Sequence, residues 1–164
     1  MTNKYRAGDS QVDKLIVLGL GLLGASICAA AKKLGLANEI IGISRRQSTI
    51  EIAHAKEIID ESSDSLATLA GNFGEDDLLI LAVPTLAMKS VLSECQEHVP
   101  PSVTITDVAS VKTKIIEFAE QVYGDIPKNS VPGHPIAGSE KSGINAANPD
   151  LFKNHKVVLT PEEM

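Results

Sequence analysis

KLIVLGLGLLGAS, residues 14–26, decides how this chain is read. Its first six residues are an apolar, β-branched run ending on Gly19, and an Ala-rich stretch with helical spacing follows over 22–34. Between the two, Gly19, Gly21 and Gly24 make a GxGxxG. In a strand–turn–helix context the first glycine allows the tight turn and the second lets backbone approach a pyrophosphate. The third lets the helix pack close to the sheet, and the helix start offers free N–H groups to the phosphates. Gly19, Gly21, Leu22, Leu23 and Gly24 are therefore the expected dinucleotide-binding turn. The competing reading is three turn glycines with no ligand.

Outward from this turn, the runs 39–44, 77–83, 102–108 and 155–161 also read as strands. They are nearly continuous in apolar residues, as expected for strands covered on both faces. Helical spacing marks 47–57, 85–98 and 111–123, where Ile115, Ile116, Ala119 and Val122 recur at i, i+3/i+4. A short strand near 57–60 and a helix around 65–70 complete the alternation. Crossovers of this length exclude hairpins. The expected architecture is a single α/β domain with a doubly wound, mainly parallel sheet, a Rossmann-type dinucleotide-binding fold, over residues 14–161. Residues 1–13 are polar and without periodicity, and read as a flexible lead-in. The segment 124–154 holds four of the eight prolines, and an irregular stretch of that length inside a domain points to function.

Composition narrows the partners. The chain has 164 residues and a formal charge of −6, which argues against a nucleic-acid surface, since phosphate binding needs clustered Lys and Arg. No apolar run approaches the roughly 20 residues that cross a bilayer, and the first residues carry no secretory signal. Cys28 and Cys95 stand alone, so neither a disulfide scaffold nor a metal site is expected, and a cytoplasmic setting fits. Aromatic residues are only 3% with no Trp, so stacking is not the expected means of holding a ligand.

The end of the second strand bears on which dinucleotide binds. Ser44 stands about 20 residues past Gly24, where Asp or Glu would accept the ribose hydroxyls of NAD. Arg45 and Arg46 follow. A serine does not repel a 2′-phosphate, and a guanidinium grips one through two parallel hydrogen bonds. NADP is the expected cofactor, with NAD as the alternative if the arginines are only solvated. Val83 and Pro84 end the fourth strand at the carboxyl edge, where their backbone lines the nucleotide path or simply turns the chain.

Two stretches read as chemistry: TDVASVK, 106–112, and GHPIAGSEKSG, 133–143. A histidine between Gly and Pro has a restricted backbone, and its titration range suits general acid–base work. His54, His98 and His155 sit in a helix, at a helix end and before a strand, and read as structural.

These stretches, with GLGLLGAS at 19–26, NPDLF at 148–152 and VVLTP at 157–161, resemble the prephenate/arogenate dehydrogenase family of tyrosine biosynthesis. The resemblance spans roughly residues 14–161. It implies an NAD(P)-dependent oxidative decarboxylation in which hydride leaves the ring carbon bearing the 4-hydroxyl. On that implication His134 is the base, Ser110 orients the substrate hydroxyl and the nicotinamide, and Glu140 stands near the entrance facing a cationic partner. Asp107 then fixes the loop carrying Ser110. Lys112 either meets a phosphate or carboxylate or caps a helix start. The substrate is prephenate or arogenate, a choice these residues leave open.

Members of that family continue into a helical domain that dimerises and closes over the substrate. This chain ends at TPEEM, so the helical domain is expected to lie outside it, together with the homodimer contacts. Two rival readings remain. One is another Rossmann-type hydroxyacid dehydrogenase, which would want a catalytic Lys in a long helix and lacks GHPxAGSE. The other is a non-catalytic NADP-binding regulatory module, which gains if His134 stands away from the nicotinamide site.

Overall fold

The computed structural model describes residues 12–160. Most of the expected lead-in lies outside these residues. Val12 and Asp13 do not: they open strand β1 (Val12–Leu18), two residues before the apolar run that marks it in the sequence. The cause is backbone pairing rather than apolar pattern, since the Val12 N–H donates to Leu36 O at 3.1 Å and that of Asp13 to Asp76 O at 3.1 Å.

From β1 the chain turns into helix α1 (Leu22–Leu34), which stops where Gly35 takes a left-handed conformation, and returns as β2 (Ala37–Ile43). Helix α2 (Gln47–Ala55) is two residues shorter than its spacing suggests. Glu57 turns left-handed at φ 55°, and the Ile58 N–H reaches back to Ala53 O at 3.2 Å. The strand expected near 57–60 forms instead as β3 (Glu61–Ser63), and the helix expected over 65–70 is one 3-10 turn, Ala67–Leu69. Next come β4 (Leu78–Leu81), a 3-10 turn at Thr85–Ala87, and α3 (Met88–His98). Then follow β5 (Thr104–Asp107), α4 (Lys112–Tyr123) and the short β6 (Ser130–Val131).

These six strands form one parallel sheet in the order β3-β2-β1-β4-β5-β6. The order reverses direction between β1 and β4, and the crevice outside the carboxyl ends at such a point is where ligands bind. Alternate residues of each strand serve two cores. Ile16, Leu18 and Leu81 pack toward α3 and α4, whereas Leu15, Val17 and Ile80 pack toward α1 and α2. Each such side chain, fully buried, contributes about 1.5–3 kcal/mol. At the amino edge the buried Asp77 carboxylate accepts the N–H groups of Lys14 at 3.1 Å and Gly74 at 2.8 Å, tying β1 to the turn before β4.

The last strand departs from expectation. VVL forms β8 (Val157–Leu159), which does not join the parallel sheet. It pairs antiparallel with β7 (Gly133–Pro135) as a separate ribbon, and Val157, Val158 and Leu159 are all exposed. A run of apolar residues suggested cover on both faces. Here each of the three is left about half exposed.

Candidate functional site

A cleft of about 710 Å³ runs along the carboxyl edges of β3, β2, β1, β4 and β5. Its floor is the turn Gly19–Leu23, with Gly24 directly after it, and the three glycines differ physically. Gly19 has φ +102°, and a Cβ there would stand 2.4 Å from Ala82 O. A Cβ on Gly24 would stand 1.9 Å from Gly19 O. Both are demanded by the chain's own packing, and Gly24 lies under the turn rather than in the cleft wall. Gly21 is different: φ is an ordinary −76°, and a Cβ would meet nothing within 4 Å. It would project into the cleft, where a pyrophosphate needs to come close. The first helical bond of α1 runs from Ala25 N to Gly21 O at 3.0 Å, so the N–H groups of Leu22, Leu23 and Gly24 have no helical acceptor. The turn thus fits a dinucleotide.

At the β2 end, Ser44, Arg45 and Arg46 line the cleft with Thr49. The Ser44 hydroxyl accepts the Arg46 N–H at 3.2 Å, bending the chain so that both exposed guanidinium groups follow directly on the strand. Among the described residues neither arginine forms an ion pair. At the β4 end, Ala82, Val83 and Pro84 border the cleft, after the Ala82 N–H closes on Leu18 O at 2.8 Å. At the β5 end, Val108, Ala109 and Ser110 form its far wall.

Several lining residues have no counterpart in the sequence reading. Asp64 and Ser65 enter from the end of β3, and Ile144 enters beside Gly143, the last residue of the 133–143 stretch read as chemistry. Ala87, Ser90, Val91 and Glu94 present one stripe of α3 and its preceding turn, and their i, i+3, i+4, i+7 spacing is the signal that could have found them. The Asp64 carboxyl is held below the usual carboxylate range by the hydroxyls of Thr68 and Ser65, so this cleft wall carries an anion at neutral pH.

Of the three residues expected in catalysis, the structure brings only Ser110 into the cleft. His134 is half-buried on β7, opposite Val158, and does not line it. Glu140 is exposed and outside the wall as well. The ribbon carrying His134 nevertheless abuts β5: a Cβ on Gly133 would meet Asp107 O at 2.8 Å. Asp107, buried, accepts the Ala109 N–H at 2.8 Å and holds the Lys112 ammonium, which also donates to Gly133 O at 2.5 Å. Lys112 therefore meets a carboxylate of its own chain. The remaining histidines have local partners: His155 Nδ1 lies 2.8 Å from Ile136 O, His54 Nε2 lies 3.3 Å from Ser62 Oγ, and His98 Nε2 lies 3.7 Å from Glu97. Among the described residues no three His, Cys, Asp or Glu side chains cluster to hold a metal, and no helix is long and apolar enough to cross a membrane.

A parallel, doubly wound sheet with a glycine turn, two exposed arginines and a continuous cleft defines a nucleotide-binding domain of the Rossmann type. Its sequence matches the family described as prephenate dehydrogenase, nucleotide-binding domain, over residues 27–164, and the chain belongs to that family. It is 38% identical over 150 residues to the prephenate dehydrogenase of Lactococcus lactis subsp. cremoris, covering 91% of this chain and 41% of that protein. The structure of the A. aeolicus prephenate dehydrogenase, in complex with hydroxyphenyl propionate and NAD+, superposes with a TM-score of 0.83 at 29% identity, covering 94% of this chain and 52% of that one. Synechocystis arogenate dehydrogenase gives a TM-score of 0.78 at 37% identity, over 92% of this chain and 50% of that one. The chain thus spans about half the length of these relatives, or less.

Proposed function

We propose that this chain is the nucleotide-binding part of a dehydrogenase that oxidatively decarboxylates prephenate or arogenate, with NADP as the preferred cofactor. The continuity of the cleft, from Arg45 and Arg46 over Gly21 to Ser110, carries this reading. In it the turn Gly19–Leu23 receives the pyrophosphate, Ser44 leaves room for a 2′-phosphate, and Arg45 and Arg46 neutralise it. Val83 and Pro84 border the ribose and nicotinamide end. A bound nicotinamide would supply the acceptor for the hydride that leaves the substrate's 4-hydroxyl carbon. Ser110 orients that hydroxyl. His134 removes its proton as the carbon is oxidised, and loss of the ring carboxylate aromatises the product to 4-hydroxyphenylpyruvate or tyrosine. Glu140 stands at the entrance with a cationic partner. Residues 14–161, extended to Val12, make up this domain. The substrate's carboxylates and the homodimer contacts belong to a helical domain in the remainder of such an enzyme, and the setting is cytoplasmic.

Titration of NADP and NAD against the chain and its Arg45→Ala variant tests the cofactor reading. The variant should lose about tenfold or more in NADP affinity, the worth of a charge-assisted bidentate contact, and little in NAD affinity. Equal binding of both cofactors, unmoved by the substitution, would remove the NADP assignment. One observation favours a second reading, a regulatory NADP-binding module without catalysis: His134 stands outside the cleft wall. In an active enzyme containing these residues, His134→Asn should abolish prephenate- or arogenate-dependent turnover. Unchanged turnover would leave the regulatory module standing.

A further inference from the structure

We propose that Lys112 is a positioning residue that fastens the Ser110 loop to the His134 strand, so that the two side chains are aimed as one unit. The functional sense of this strut rests on the dinucleotide reading above; its geometry does not.

The helix has no use for a lysine at this point. Lys112 is the first residue of α4, whose first turn has no acidic residue and whose start has no side-chain cap. A cation there opposes the partial positive charge of the helix N-terminus. Stability does not explain it either. The Lys112 side chain is 16% exposed and that of Asp107 4%, and a pair this buried costs so much desolvation that well-packed apolar residues often serve stability equally well. What the pair supplies is position. The Asp107 carboxylate takes both the Ala109 N–H and the Lys112 ammonium, which pins the chain on either side of Ser110. The same ammonium grips the carbonyl of Gly133, the residue before His134. Gly133 is pressed against β5 closely enough that a Cβ would stand 2.8 Å from Asp107 O and 3.0 Å from Thr106 Oγ1. A second bond, from Thr106 Oγ1 to Val131 O at 2.7 Å, closes the same seam one step earlier. One ammonium therefore links the nicotinamide-end wall of the cleft to the ribbon that holds the imidazole.

The test uses the 164-residue chain and two variants, Lys112→Met and Lys112→Arg. Affinity is measured for NADP and for 2′-phospho-ADP-ribose, which lacks the nicotinamide end, and the histidine ring resonances are followed by NMR. Lys112→Met should weaken NADP by about tenfold, because the Ser110 wall at the nicotinamide end is no longer held, and leave the fragment within about twofold. The His134 ring resonances should move while those of His54 and His98 stay. Lys112→Arg should restore part of both. Equal losses for the two ligands, or NADP affinity held while His134 moves, or an unmoved His134, would overturn the strut. If Lys112→Met does not fold, Gly133→Ala pries the same seam from the other side without altering charge, and the same pattern is required of it. A parent chain that bound neither ligand would defeat the nucleotide reading instead, and the His134 resonances alone would then decide the strut.

Discussion

Replacing Gly21 and Gly24 by alanine, one at a time, separates the glycine a ligand requires from the glycine the fold requires. In Gly24→Ala the new methyl lies 1.9 Å from Gly19 O and 3.0 Å from Ala82 Cβ. Helix α1 must retreat by roughly 1.5 Å to restore ordinary contact. Overpacking of this kind costs about 1–3 kcal/mol or more. At about 2–4 °C per kcal/mol for a chain of this size, the midpoint should fall by up to roughly 12 °C. In Gly21→Ala the methyl meets nothing within 4 Å and the backbone is already in a region alanine adopts. Losing glycine at the start of α1 costs at most about 1 kcal/mol. The methyl does stand before the free N–H groups of α1. Losing one or two charge-assisted bonds there, each worth about 1.5–3 kcal/mol, weakens the dinucleotide by about tenfold to roughly ten-thousandfold. Thermal melts followed by circular dichroism give the first quantity. Titration followed by NADPH fluorescence gives the second, free of interference because the chain has no Trp. Gly21→Ala that binds like the parent would refute the role of the turn. Gly24→Ala that melts like the parent would refute the packing argument.

Two further outcomes follow from charge and burial. Burial pushes the Cys28 and Cys95 thiols up to about 12 from an ordinary 9.0. Between those values the unfolded chain gives up these protons and the folded chain keeps them, so stability falls as pH rises, by about 1.4 kcal/mol per pH unit for each thiol. Urea unfolding from pH 8 to 10.5 should show that slope developing above pH 9, and a profile flat throughout would contradict it. The anionic Asp64 lines the same cleft as Arg45 and Arg46. Its replacement by Asn should raise NADP affinity about two- to threefold, the worth of a screened like-charge interaction with the extra phosphate. Calorimetric titration reading a loss instead would mean that Asp64 accepts a ligand hydrogen bond.

The legible parts of this molecule are those where side-chain pattern and backbone geometry agree. Helix α1 runs over 22–34 as its spacing requires, because Gly21 opens it and Gly35 closes it. Strand β3 escaped because Glu61, Ser62 and Ser63 have no apolar pattern; backbone pairing of Ile41 with Glu61 makes it a strand. The turn at 67–69 is organised by side-chain bonds among Asp64, Ser65 and Thr68, too local for helical spacing to register. In the site, the glycine turn, the arginines and Ser110 were readable because each directly follows a strand. Asp64 and Ile144 were not, since tertiary packing alone brings them to the cleft. Val157–Leu159 misled because apolar residues mark a need for cover without saying whether the same residues of the chain supply it.

That ribbon has a consequence for how the domain breathes. Strands of three residues in an isolated pair are marginal in water. β7 and β8 are therefore kept in place by the seam to β5 rather than by either core. Amide exchange should divide the domain into two cooperative units, with the six-stranded sheet opening only on global unfolding and the ribbon opening at a fraction of that free energy. The imidazole proposed as the base belongs to the less protected unit. Its alignment is then a populated state, open to adjustment by anything that binds the exposed Val157, Val158 or Leu159.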